Sequence, residues 1–155
     1  MKNLSVFDSH KVVDKKKIHS LVNELSNELK YSLINLEINF ISSENIHQLN
    51  KTHLNHDYTT DIITFDYSDD FVQLDGELFI SVDDAKVNAK KFKVTLKEEL
   101  ARLVIHGILH LLGYDDQSTN DKKSMKIEIQ CKRLKIMREQ MSRQIRHYLI
   151  LKVQE

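Results

Sequence analysis

Apolar and polar residues alternate along this chain in two rhythms, one of period two and one near 3.6, and the switches between them mark its elements. LSVF (4–7) reads as a short first strand. From 12 to 29, VVDKKKIHSLVNELSNEL sets Val13, Ile18, Leu21, Val22, Leu25 and Leu29 at the spacing of an amphipathic helix. In LEINFI (36–41), Leu36, Ile38 and Phe40 alternate with Glu37 and Asn39, the mark of a half-buried strand. Residues 43–53 predict a short helix, HLNHDYTTD a polar loop, and IITFDY (62–67) the next strand. LDGELFISV (74–82) alternates again through Leu78, Ile80 and Val82, and is expected to pair with IITFDY.

Helices dominate the remainder. Asp83 and Asp84 open one over AKVNAKKF (85–92). Thr95 with Glu98 has the form of a capping box, which launches KEELARLVIHGILHLL (97–112). Ser118 and Asp121 repeat that signature and predict a last helix from about 119 to near 150. The order β-α-β-α-β-β-α-α-α predicts an α+β (mixed α/β) fold, a small four-stranded mixed sheet packed with about five helices.

The 155 residues, 41% hydrophobic and 30% charged, suit a single domain over 1–155, with a basic C-terminal helical extension at about 136–155. With no proline and only three glycines, nothing marks a linker or second domain. No apolar run approaches the roughly 18 residues of a membrane span, and MKNLSVFDSH lacks the apolar core of a signal peptide. The expected setting is therefore the cytoplasm, without a membrane partner. Cys131, the sole cysteine, rules out an internal disulfide. Net charge is zero but unevenly spread: residues 57–99 hold 11 acidic and 5 basic side chains, residues 121–155 hold 10 basic and 4 acidic. This asymmetry offers either a basic face for phosphates or a solvated helix surface. In MREQMSRQIRHYLILKV, Met137, Met141, Ile145 and Leu149 recur every four residues, which fits a helix packed on the core or, alternatively, an RNA or subunit contact.

The chemistry concentrates in HGILHLLGYDD, from position 106. Residues four apart on a helix share a face, so His106 and His110 can present imidazoles to one metal ion. Gly113 is placed to stop that helix in a left-handed conformation and turn the chain back, so that Asp115 or Asp116 supplies a third ligand. Three N and O ligands with a fourth position left for water make the pattern of a catalytic zinc site. Taken singly, a histidine pair is a surface or core feature and an aspartate after a helix a loop residue; the joint spacing is what singles the stretch out. The spacing also matches the extended zinc-protease signature, but there a glutamate follows the first histidine as general base, and here that residue is Gly107.

These residues carry a resemblance. HGILHLLGYDD closely resembles the H-G-x-L-H-L-x-G-Y-D-H signature of the YbeY family, bacterial metal-dependent endoribonucleases of ribosomal RNA maturation. LNKTHLNHDYTTDIITF (49–65) is similar to the family's L-N-x-x-Y-R-x-K-D-x-P-T-D-V-L-S-F, and GELFIS (76–81) to its G-D-I-x-I-S strand. The resemblance covers roughly residues 45–135. It implies Zn2+ held by His106, His110 and Asp116, acting through a metal-bound water, with Asp115 as second choice for the third ligand. Asp116 stands where the family has histidine, an oxygen ligand that zinc accepts. Leu54 falls on the arginine that meets the RNA phosphate in the family, and His56 on the lysine after it. Lys51, His53 and His56 are the substrate-binding residues expected in its place, and Thr60 and Asp61 retain the motif's T-D. Glu98 and Glu99 are candidates for a general base, with a structural role as the alternative.

The implied function is a zinc-dependent single-strand endoribonuclease for the 16S rRNA 3′ end and ribosome quality control, with ribosomal RNA and ribosomal particles as partners. The alternatives are a ribosome-associated assembly factor with weak or no nuclease activity and, further off, a zinc metallopeptidase.

Overall fold

The computed structural model describes residues 2–54 and 59–113. In chain order its elements are β1 (Leu4–Asp8), α1 (Lys15–Leu29), β2 (Ser32–Ile41), α2 (Ser43–Leu54), β3 (Ile62–Asp66), β4 (Gln73–Ser81), α3 (Val82–Phe92) and α4 (Leu96–Leu111). The strands form one sheet in the order β1-β2-β4-β3. β1 and β4 lie parallel to β2 on either side of it, while β3 runs antiparallel to β4 as the expected hairpin partner. The predicted helix from about 119 and the extension at about 136–155 lie outside the described residues.

One face of the sheet carries the core. Leu4 and Val6 of β1, Leu36, Ile38 and Phe40 of β2, and Leu78 and Ile80 of β4 join Ile18, Val22 and Leu25 of α1 and Leu100, Leu103, Val104, Ile108 and Leu111 of α4 in one buried cluster. The strand residues alternate by two and the helix residues recur at three and four, so each element turns one face inward. Burial of this kind stabilises by roughly 25 cal/mol per Å² of apolar surface removed from water, and it fixes where α4 lies. Tyr31, buried between α1 and β2, donates its hydroxyl to the Val22 carbonyl at 3.3 Å, and burial holds that hydroxyl well above its ordinary pKa.

Element boundaries shift by up to four residues from the sequence pattern, and at α1, β2 and α3 the local reason is visible. The helix expected from 12 starts at Lys15, because the extended Asp14 caps it, its carboxylate accepting from Lys16 N–H at 3.0 Å. Val13 stays outside, its N–H given to Asp8 Oδ2 at 2.9 Å. The strand expected from 36 starts at Ser32, since Ser32 and Leu33 already pair with Gln73 and Leu74 before an irregularity between Leu33 and Asn35. That bulge breaks the period-two pattern, so the alternation becomes regular only from Leu36. Helix α3 begins at Val82, one residue before the Asp83–Asp84 pair, because Ser81 is its cap and accepts from Asp84 N–H at 3.2 Å.

Candidate metal centre

Helix α4 opens on the predicted capping box: Thr95 Oγ1 accepts from Glu98 N–H at 3.2 Å, and Glu98 Oε2 accepts from Thr95 N–H at 2.7 Å. The Thr95 N–H and, after it, the Thr95 hydroxyl, both donating to Glu98 Oε2, pull the exposed Glu98 carboxyl below its ordinary pKa. From that start the helix buries Leu100, Leu103, Val104, Gly107, Ile108 and Leu111, while Arg102, His106 and His110 follow one another at intervals of four along a half-buried face.

Gly107 sets how closely this helix approaches the sheet. A Cβ there would stand 2.7 Å from a Leu78 methyl and 2.8 Å from the Ile62 Cδ1. The residue after His106 therefore points into the helix–sheet contact. Side-chain absence at this position removes the protease base, and the packing leaves no room for one.

His106 and His110 meet as the spacing predicts. Their Nε2 atoms are 3.0 Å apart and their rings stand edge to face, centroids 4.3 Å apart at 87°. Two imidazole nitrogens bound tetrahedrally to one zinc at about 2.0–2.1 Å lie about 3.3 Å apart, so this pair fits the ion with a shift of a few tenths of an ångström. Helix α4 then ends as expected: Gly113 has φ +76° and its N–H donates to the His110 carbonyl at 2.9 Å. Any side chain on Gly113 would also overlap the Phe71 ring. Asp115 and Asp116, the residues expected to supply a third ligand, lie outside the described residues. Among the described residues no third His, Cys, Asp or Glu joins the pair.

One turn before His106 is an ion cluster that sequence reasoning missed. Glu99, only 1% exposed, takes two bonds from Arg102, Nε at 2.8 Å and Nη2 at 2.6 Å. The same guanidinium lies 3.6 Å from Asp61, which also accepts from Asn88 Nδ2 at 3.2 Å. Burial pushes the Asp61 carboxyl above its ordinary pKa, and Arg102 opposes that push. The cluster ties α4, α3 and the entry to β3 together at the level of the histidines. Two signals were available for it, the four-residue step from Arg102 to His106 and the three-residue step from Glu99 to Arg102. The two glutamates weighed as bases thus have structural partners: Glu98 in the cap and Glu99 on Arg102. Thr60 donates its hydroxyl to the Ile62 carbonyl at 3.1 Å, a turn at the strand entry.

Lys51 and His53 are exposed in the last turn of α2. His53 meets the ring of Phe65 edge-on, centroids 5.9 Å apart, and Phe65 in turn meets Phe79 at 5.8 Å. Phe65 and Phe79 alternate with Thr64 and Leu78, whose side of the hairpin faces α4, so this aromatic contact is on the face away from the histidine pair. His56 lies outside the described residues.

Comparison with known proteins agrees with this arrangement. The family model described as Endoribonuclease YbeY matches residues 4–148. An endoribonuclease YbeY of Cytophaga hutchinsonii is 43% identical over 109 residues, 70% of this chain and 76% of that protein. The Bacteroides fragilis protein of the same name is 46% identical over 86 residues, 56% of this chain and 61% of that one. Among solved structures, the solution structure of a Thermotoga maritima protein superimposes with a TM-score of 0.54 at 27% identity, covering 88% of this chain and 87% of that one. A match that runs over nearly the whole length, with relatives at this identity and a shared fold, means that the chain belongs to the YbeY family.

Proposed function

We propose that this protein is a zinc-dependent endoribonuclease that cuts single-stranded ribosomal RNA in the cytoplasm, acting at the 16S rRNA 3′ end and in ribosome quality control. The observation that carries the reading is the His106–His110 pair, two Nε2 atoms 3.0 Å apart on a helix pressed against the sheet. Its relatives' name, endoribonuclease, supplies the reaction class.

In this reading His106 and His110 hold the metal and Asp116 completes the ligand set, with Asp115 as the second choice. Zinc bound there supplies a Lewis acid that polarises a phosphodiester oxygen and activates water. The protein's own part is positioning. Gly107 seats the histidine helix, Gly113 turns the chain toward the aspartates, and the Glu99–Arg102–Asp61 cluster fixes α4 against the β3 entry. Lys51, His53 and His56 fall in the segment where the family carries its phosphate-binding arginine, and since His53 meets Phe65 on the face away from the histidine pair, they would grip RNA away from the metal rather than at it. A carboxylate as third ligand would make the ion less electrophilic than a third imidazole does.

Leu54 supports a second reading, because leucine cannot bind phosphate: an assembly factor that binds ribosomal particles and cuts little. The peptidase reading requires a base at 107, where the packing admits no side chain. Cleavage of a ribosomal RNA 3′-end fragment by wild type, His110→Ala and Leu54→Arg separates the first two. The nuclease reading expects His110→Ala to fall at least about 100-fold, the scale of a lost transition-state contact, and Leu54→Arg to gain. If wild type and His110→Ala are equally inert while both bind ribosomal particles, the assembly-factor reading replaces it.

A further inference from the structure

Residues 57–99 hold five basic side chains among eleven acidic ones, and all five, Lys86, Lys90, Lys91, Lys93 and Lys97, fall within 86–97, where no acidic residue intervenes. All are exposed. On α3 Lys86 and Lys90 share one line and Lys91 lies further round beside the exposed Val87, all clear of the buried Val82, Ala85 and Ala89, and Lys93 and Val94 follow in the turn into α4. Among the described residues only Lys86 of the five is in an ion pair, with Asp83 at 3.7 Å.

Large apolar side chains stand exposed among these lysines: Val87 is 64% exposed, Phe92 46% and Val94 39%. Lys91 Nζ is 5.3 Å from the Phe92 ring centroid. A face that serves only solubility gains nothing from exposing an aromatic ring and two valines, and an apolar docking face gains nothing from five lysines without a carboxylate between them. Cations that track a phosphate backbone, beside a ring that stacks on bases, are what single-stranded nucleic acid requires.

The placement suits the histidine site. Asn88, on the inner side of α3, reaches the Asp61 that pairs with Arg102, so α3 lies against α4 one turn before His106. Lys97 and His106 are nine residues apart on α4, about 14 Å along the axis but half a turn round the helix, so a strand that meets both passes around α4. Asp83 and Asp84 bound these lysines at one end and Glu98 at the other.

We propose that the outer face of α3 and the α3–α4 turn form a second RNA contact, which holds the single strand flanking the position addressed by the histidine pair. The proposal rests on the nuclease reading for its substrate, and its own test is binding. The full-length protein and a Lys90→Ala/Lys91→Ala/Lys93→Ala variant are titrated with a labelled single-stranded RNA of about 12 nucleotides at several salt concentrations, and Phe92→Ala is measured beside them. Three lysines removed from the RNA lower the slope of log affinity against log salt by about 2. Phe92→Ala weakens binding with the slope unchanged. In cleavage, the triple variant raises KM for that RNA with kcat kept, and leaves an RNA of about four nucleotides unaffected.

An unchanged affinity and salt slope in the triple variant overturns the proposal. So does an equal loss on the short RNA, which would mean a disturbed histidine site, and so does tighter binding to polyglutamate than to the RNA, which would mark an acidic protein as partner. If wild type binds the RNA but does not cut it, the nuclease reading fails while the binding comparison still decides the surface.

Discussion

Gly107 reads in the sequence as a missing general base, and the structure gives the position a second meaning. It lies where α4 touches Leu78 and Ile62, so even one methyl group must displace side chains packed in or against the core. Gly107→Ala is expected to destabilise by about 1–3 kcal/mol through overpacking, partly offset by alanine's better helix propensity of about 1 kcal/mol. A urea midpoint at or above that of wild type would show that α4 does not sit this close. Glu99 presents the opposite case, a buried carboxylate whose partner is half-buried. Glu99→Ala removes both carboxylate bonds from Arg102, and should cost about 3 kcal/mol, the lower end for breaking a buried pair because Arg102 keeps some contact with water. Denaturant unfolding checks it; a loss below about 0.5 kcal/mol would reduce the cluster to a surface ion pair. The histidine pair and Gly113 were legible from spacing alone, because helix periodicity and a left-handed stop are local rules. The Asp61–Arg102 contact was not, because it joins residues 41 apart in the chain.

Helices and strands declared themselves wherever their signals were local. The Thr95–Glu98 box gave the start of α4 to within one residue, and the alternation of β3 and β4 was enough to pair them. Boundaries moved where a side chain or a bulge intervened: Asp14 at α1, Ser81 at α3, and the irregularity after Leu33 in β2. Helix α2 has a cap that no local pattern reveals. Ser43 N–H donates to Asp83 Oδ2 at 3.0 Å, from a residue on α3. That bond, above all, holds the Asp83 carboxyl below its ordinary 3.8. Since the folded value is depressed, its contribution to stability is fully present above 3.8 and is lost as pH falls through the folded value. Asp83→Asn should therefore be less stable than wild type at neutral pH, and the difference should shrink toward zero in acid. Urea unfolding of both proteins over that range measures it; a difference that is constant with pH would assign the effect to packing rather than charge.

Across the whole molecule, the sheet order β1-β2-β4-β3 brings α4 over β3 and β4, the two strands that follow the polar loop of the family motif. The parallel pairing of β2 with β4 was not readable from the pattern, because two strands buried by the same core give no sign of who neighbours whom. Among the described residues no helix is long and apolar enough to cross a membrane. The fold thus presents two histidines on a rigid helix, backed by a close glycine contact and an ion cluster, and the account stands or falls on whether they hold a metal ion. The direct measurement is the metal content of the full-length protein, equilibrated with zinc and freed of excess, beside His106→Ala and His110→Ala. About one zinc per chain in wild type and less than about a tenth in either variant is the expected result. Less than about one-half per chain in wild type, or equal content in the variants, would contradict it.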